Sequence, residues 1–351
     1  MVRILFVGGG SIGHVAPCIA VWRAIQEHIP SVQAHFICAE RSADREFLTR
    51  EGVPFTALPL PRRSAIFPLT FLHAYWKASV LLRAFEPHML LGKGGALSIP
   101  VCLAAKRRGI PIVLHESDAV VGRANRFLSH FAETVCLGFP SGEGRRVKEY
   151  RQRTVVTGNP VRPEITRGSR EEGLRITGFS GKRPVLLIVG GSQGAQALNE
   201  IVVQKLSELA TLCDIVHIAG KGKTRGAPQQ SYFAIEFANE ELPHLYALAS
   251  LAISRAGAGS LSELAANGIP TILVPLRGVA HDHQGVNAER AQESGGCILI
   301  EQEGLPRALV PLVRELLADR GRLHALAEKI RTLNRQDAAT NIARMLLDLC
   351  M

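Results

Sequence analysis

The chain has 351 residues, 46% hydrophobic and 21% charged, a globular composition that excludes a disordered or collagen-like polymer. Its formal charge of +10 is lopsided: residues 1–160 carry 20 basic and 11 acidic groups (+9) and residues 161–351 carry 21 and 20 (+1), which assigns an anionic partner to the first half. Seven scattered cysteines without a CxxC pair argue against a disulfide framework or zinc site and for a reducing compartment, and no uncharged apolar run reaches the ~18 residues of a bilayer span.

In chain order, apolar runs at 3–8, 34–38, 88–91, 111–114 and 133–137 read as strands, followed by 185–189, 214–219, 232–237, 251–254, 271–275 and 297–300. The first of them ends in glycines, so the N-terminus reads as a strand and turn and not as a signal peptide. Helical periodicity covers 16–28, 69–85, 97–107, 119–130, 195–210, 284–294, 305–318 and 336–349. Strands apolar on consecutive positions and alternating with helices imply an α/β protein with open parallel sheets. The chain also repeats itself. Val7-Gly8-Gly9-Gly10-Ser11-Ile12-Gly13 is echoed by Ile188-Val189-Gly190-Gly191-Ser192-Gln193-Gly194, and 109–114 by 268–273. Two Rossmann-like domains in tandem explain both echoes, with a boundary near Thr157-Gly158-Asn159-Pro160.

Each glycine turn lies between a strand and a helix, where main-chain N–H groups can approach an anion. The first turn formally matches GxGxxG, and Glu40 follows the second strand. Alone, that pair fits a nicotinamide dehydrogenase; His14, Pro17 and the recurrence of the turn at 190–194 weigh against it. His14 opens the first helix, a position suited to acid/base work. Lys93, Gly94 and Gly95 form another glycine turn. His115-Glu116-Ser117-Asp118 closes a strand with three ionisable groups, at the sheet edge where open α/β sheets bind ligands. After strand 251–254, Arg255 to Ser260 open a helix and Glu263 follows about one turn in, where a carboxylate can accept both hydroxyls of a ribose. Gln284 and Asn287, three apart on one helix face, suit a sugar's hydroxyl array. Residues 60–86 combine Ile66, Phe67, Leu69, Phe71, Leu72 and Trp76 with Lys77 and Arg83, a pattern that suits insertion into an anionic leaflet.

In sequence order, Gly9-Gly10-Ser11-Ile12-Gly13-His14, Gly158-Asn159-Pro160-Val161-Arg162, Gly190 to Ala195, Arg255-Ala256-Gly257-Ala258 with Ser262-Glu263, and His283-Gln284 with Asn287 resemble the motifs of the MurG family of peptidoglycan N-acetylglucosaminyltransferases. The resemblance implies a GT-B fold, two Rossmann-like domains whose parallel sheets face a deep cleft. It divides the chain into an acceptor and membrane domain (1–160), a UDP-GlcNAc domain (161–335) and a last helix (336–351) crossing back to the first domain. It further implies that Arg162, Ser192, Gln193, Gly194, Ala238, Arg255, Ala258, Glu263, His283, Gln284 and Asn287 bind the donor. Gly10, Ser11, Ile12, Gly13, Lys93, Gly94 and Gly95 would face the acceptor pyrophosphate, with His14 and Asp118 as rival bases. Three departures stand out: Ile12 replaces a glycine, the family's HEQN is HESD here, and His283 replaces a glutamine.

The implied reaction is an inverting transfer of GlcNAc from UDP-GlcNAc, a substrate, to the 4-hydroxyl of the muramoyl sugar of lipid I. No cofactor or metal is expected. The implied partners are lipid I, the anionic inner leaflet of the bacterial plasma membrane on its cytoplasmic face, and cell-wall synthesis proteins. Nucleic acid is not expected, because the basic residues lack aromatic platforms or a recognition motif. The competing readings are a related transferase acting on diacylglycerol, a GT-B epimerase, and the dehydrogenase.

Overall fold

The computed structural model describes residues 2–10, 12–60, 67–140, 153–190, 195–223, 230–278 and 282–350. The chain divides into two compact units, Met1–Arg162 with Arg335–Met351, and Pro163–Asn334. Arg162 thus belongs to the first unit, two residues beyond the expected boundary.

The first unit runs β1 (Arg3–Val7), α1 (Ile12–His28), β2 (Gln33–Ala39), α2 (Ser42–Arg50), β3 (Phe55–Leu58), α3 (Phe67–Phe85), β4 (Met89–Gly92), α4 (Ser98–Arg107), β5 (Ile112–Glu116), α5 (Arg123–Leu128), β6 (Thr134–Leu137) and β7 (Arg153–Val156). Among the described residues its strands form one sheet in the order β3-β2-β1-β4-β5-β6-β7. The pairs are parallel, with Val7 opposite Ile37 on one side and Gly92 on the other. Met89, Leu90, Leu91 and Gly92 are buried at every position, which is why this strand lacks hydrophobic alternation. The sequence reading omits α2, β3 and β7. It also extends a helix over 119–130 where the chain forms only α5 and a following 3-10 turn at Ser129–Phe131.

The second unit runs α6 (Arg170–Thr177), β8 (Val185–Val189), α7 (Gln196–Gln204), α8 (Leu206–Leu212), β9 (Asp214–Ile218), β10 (Tyr232–Ile235), α9 (Leu242–Leu248), β11 (Leu251–Ser254), α10 (Ala258–Asn267), β12 (Thr271–Leu273), α11 (His283–Glu293), β13 (Cys297–Leu299), α12 (Leu305–Ala318) and α13 (Arg320–Arg331). Its strands are again parallel, in the order β10-β9-β8-β11-β12-β13. The helix expected over 195–210 is two helices, broken at Lys205, whose backbone leaves helical geometry.

The last helix, α14 (Ala338–Asp348), belongs to the first unit. Its Ile342, Ala343, Leu346 and Leu347 join the core formed by Val15, Ile19, Trp22 and Ile25 of α1. In each sheet the strand order reverses beside the unit's first strand, at β1/β4 and at β8/β11. Such switch points open a crevice at the carboxyl ends of the strands.

Candidate functional site

At the first switch point, the turn after β1 meets the turn after β4. A Cβ on Gly95 (φ +78°) would lie 2.8 Å from the Gly9 carbonyl, so a side chain there is excluded by contact and by conformation. Gly94 is also left-handed, at φ +74°. His14, on the first turn of α1, has Nδ1 2.8 Å from the Gly9 carbonyl oxygen. A carbonyl only accepts, so the neutral ring carries its proton on Nδ1, and Nε2 is the nitrogen able to take another. The Arg41 guanidinium donates to the Gly10 carbonyl from α2's side. Sequence reasoning missed Arg41, which carries no motif. Ile12 and Gly13 begin α1; Ser11 lies outside the described residues.

Lys93 departs from expectation. It is only 4% exposed and does not present its charge to a ligand. Its Nζ donates to His115 Nδ1 and Ser117 Oγ. His115 in turn donates from Nε2 to the Gly158 carbonyl at 3.0 Å, so the ring is neutral; burial and the neighbouring Lys93 charge hold its pKa well below the usual value. Burial also draws the Lys93 ammonium down to about 8. Glu116 accepts from the Gly122 N–H at 2.8 Å and from Asn125 Nδ2 at 3.0 Å, while burial and the charge of Asp118 push its pKa up to about 7. Asn159 donates to the Ser117 carbonyl at 3.0 Å. Asp118, half-exposed, ends this braced segment. Asn125 and Asn159 are buried partners that their types alone did not reveal.

At the second switch point, Ser192, Gln193 and Gly194 lie outside the described residues. Arg255 follows β11 but turns inward. It donates to the carbonyls of Val274 (3.0 Å) and Pro275 (3.4 Å) and to Gln302 Oε1 (2.6 Å), so its guanidinium ties the ends of β11 and β12 together instead of facing phosphate. Ala258 starts α10 and is buried. Glu263, one turn further, is half-buried and accepts from the Tyr246 hydroxyl at 2.8 Å. Tyr246 is buried on α9, and no motif announced it. On α11, Asn287 is fully buried and donates to the Ala256 carbonyl at 3.0 Å, and Gln284 Oε1 accepts from the Leu276 N–H at 3.1 Å. One atom of each amide is therefore spent on fastening α11 to the strand ends. His283 is the first residue of α11, and Ala238 lies half-buried after β10.

Arg162, expected at the donor, is occupied within the first unit. It pairs with Glu51 at 3.4 Å, and its guanidinium stacks over the Phe47 ring at 5.3 Å. The α3 helix inverts the usual pattern. It buries Ala74, Ala78 and Leu82 and exposes Leu69 (69%), Leu72 (60%), Trp76 (62%) and Val80 (52%). Phe67 is exposed, Phe71 is half-buried, and Ile66 lies outside the described residues. Among the described residues, no helix is long and apolar enough to cross a membrane.

Comparison with known proteins agrees with this architecture. Residues 4–137 match the glycosyltransferase family 28 N-terminal domain and residues 185–342 its C-terminal domain. The UDP-N-acetylglucosamine–N-acetylmuramyl-(pentapeptide) pyrophosphoryl-undecaprenol N-acetylglucosamine transferase of Lachnoclostridium phytofermentans is 35% identical over 97% of both chains. Its Clostridium kluyveri namesake is 33% identical over 99% of both. The crystal structure of Acinetobacter baumannii MurG aligns with a TM-score of 0.74 at 26% identity, covering 99% of this chain and 100% of that one. The chain is a GT-B glycosyltransferase that belongs to family 28 and, within it, to the MurG family.

Proposed function

We propose that the protein transfers GlcNAc from UDP-GlcNAc to the 4-hydroxyl of the muramoyl sugar of lipid I, with inversion. The observation that carries this reading is likeness to N-acetylglucosamine transferases of that name along the whole chain, through both units. The two switch points support it, because open parallel sheets bind ligands at such points and each unit has one.

In this reading the acceptor occupies the first unit. His14 Nε2 takes the proton of the attacking hydroxyl, a role its Nδ1–Gly9 hydrogen bond supports by fixing the tautomer. The bond from the acceptor oxygen to the anomeric carbon forms as the bond to the diphosphate breaks, and UDP departs with the electron pair. In the second unit, Glu263 accepts the ribose hydroxyls and Gln284 faces the sugar, while Asn287, expected there too, is fully buried and instead holds α11 against the end of β11. The charge that grows on the diphosphate falls to the Gly190–Ala195 motif that the family resemblance assigns to it, a contribution of ~3–4 kcal/mol per hydrogen-bond donor. Arg255 acts here as a support for the donor loops.

The protein meets its lipid acceptor at an anionic membrane surface through the exposed stripe of α3, which carries Lys77 and Arg83 beside its large apolar residues.

The test is incubation with UDP-GlcNAc and lipid I, with parallel arms offering UDP-GalNAc, diacylglycerol or NADH. Formation of the disaccharide lipid from UDP-GlcNAc alone is expected. Transfer to diacylglycerol, epimerised sugar or cofactor oxidation overturns the reading.

A further inference from the structure

Lys93 is a buried cation for which the transfer chemistry above has no use, and its contacts connect the parts of the acceptor edge. Its main-chain N–H bonds to the Val7 carbonyl at 2.9 Å, prolonging the β1/β4 pairing by one residue. The next two residues, Gly94 and Gly95, form the turn that packs on Gly9 beside His14. Its side chain goes the other way, to His115 and Ser117 beyond the end of β5. The carbonyls of those same two residues are held by Asn125 (3.2 Å) and Asn159 (3.0 Å). Cys18 of α1 and Cys136 of β6 lie close enough to Lys93 to feel its charge, and burial keeps both thiols protonated, with pKa values near 12. The carboxylates that attract the ammonium lie at the β5 end: Asp118, and Glu116 once it has lost its proton.

A buried ammonium carries a large desolvation penalty unless hydrogen bonds and opposite charge offset it. Among the described residues, the side-chain partners of this ammonium are His115 and Ser117. We infer that Lys93 is a positioning residue for the transfer reaction: its ammonium braces the segment that carries Asp118 and sets that segment against the glycine turns around His14. This role rests on the proposed transfer and deepens it. Lys93 touches neither substrate; it acts through Ser117 and His115.

The experiment uses the full chain with Lys93→Met, which keeps the length and removes the charge, and Ser117→Ala, which removes one contact and leaves the ammonium buried. Hydrogen exchange is read along the first unit, and steady-state kinetics with UDP-GlcNAc and lipid I are read in parallel. In Lys93→Met, amides over 116–122 are expected to exchange at least roughly tenfold faster while β1 and β2 keep their protection. Turnover is expected to fall roughly tenfold or more, with the KM for UDP-GlcNAc changed less than about twofold. Ser117→Ala shows the same pattern more weakly. Wild-type exchange over 116–122 in Lys93→Met overturns the inference. So does a loss of protection spread evenly over the unit, or a defect confined to the donor KM. If Lys93→Met does not fold, Ser117→Ala decides by the same readouts. A wild-type protein that transfers no GlcNAc refutes the proposed function, whereas the exchange result still decides whether Lys93 braces 115–118.

Discussion

Replacing Leu69, Leu72 and Trp76 together by serine removes the centre of the exposed stripe of α3 and leaves its buried side, Ala74, Ala78 and Leu82, untouched. Full burial of one large apolar side chain is worth ~1.5–3 kcal/mol. These three are 69%, 60% and 62% exposed, so roughly three-fifths of that value is still available to a lipid surface, about 1–2 kcal/mol each. Together they supply about 3–5 kcal/mol at full insertion, and at 1.4 kcal/mol per tenfold their loss weakens partitioning by roughly 10²–10⁴. The assay is co-sedimentation with vesicles of phosphatidylglycerol and of phosphatidylcholine at low and high salt. The wild-type chain is expected to favour the anionic vesicles and to be released by salt, because Lys77 and Arg83 contribute. The triple variant is expected to lose most binding, with an unfolding free energy lowered by helix propensity, about 0.5 kcal/mol per site, and by loss of the roughly two-fifths of each side chain that the fold covers, about 0.6–1.2 kcal/mol per site. Unchanged partitioning of the variant, or equal wild-type binding to neutral vesicles, refutes the reasoning.

Tyr246→Phe deletes the 2.8 Å hydrogen bond to Glu263, and a lost hydrogen bond to a charged group is worth roughly 1.5–3 kcal/mol. A donor KM raised about tenfold or more with turnover little changed is expected, and an unaltered calorimetric affinity for UDP would show that Tyr246 does not orient that carboxylate. Gly95→Ala combines a φ of +78° with a Cβ 2.8 Å from the Gly9 carbonyl, whereas Gly109→Ala (φ +70°) meets nothing within 4 Å. Thermal unfolding is expected to show a loss of several degrees for Gly95→Ala and a smaller one for Gly109→Ala, and equal losses would remove the steric part of the argument. Glu116 has a folded-state pKa of about 7 against 4.5 unfolded, so between those values the native state holds more protons and stability falls as pH rises. Denaturant titrations at several pH values are expected to show the wild type losing up to ~3 kcal/mol across that window relative to Glu116→Gln. Parallel pH profiles would disprove it.

Much of the fold was legible because buried parallel strands are apolar throughout and each glycine turn marks a strand end. What escaped detection was short or polar. Phe55–Leu58 is four residues at a sheet edge, and Arg153–Val156 begins with a charge. The Arg170–Thr177 helix had a readable start, since Ser169 caps the Glu172 N–H at 3.3 Å, and a readable stop at left-handed Gly178. Its weak apolar content hid it. At the sites, residue type located the strand-end clusters but not the direction of each side chain. Lys93 and Arg255 are cations beside proposed anion sites, and both turn into the protein because backbone carbonyls or a histidine offer closer partners. Tyr246 was invisible because its role depends on the packing of α9 beside α10.

The C-terminal helix gives the chain an order of assembly. The second unit is contiguous, so all of it has been synthesised before α14 exists. The first unit is made earlier, yet the surface of α1 that receives Ile342 and Leu346 stays uncovered until residues 338–348 have left the ribosome. The earlier-made unit is therefore the later one to be completed, and a ribosome that stops short of residue 338 releases a chain with an apolar furrow along its first helix.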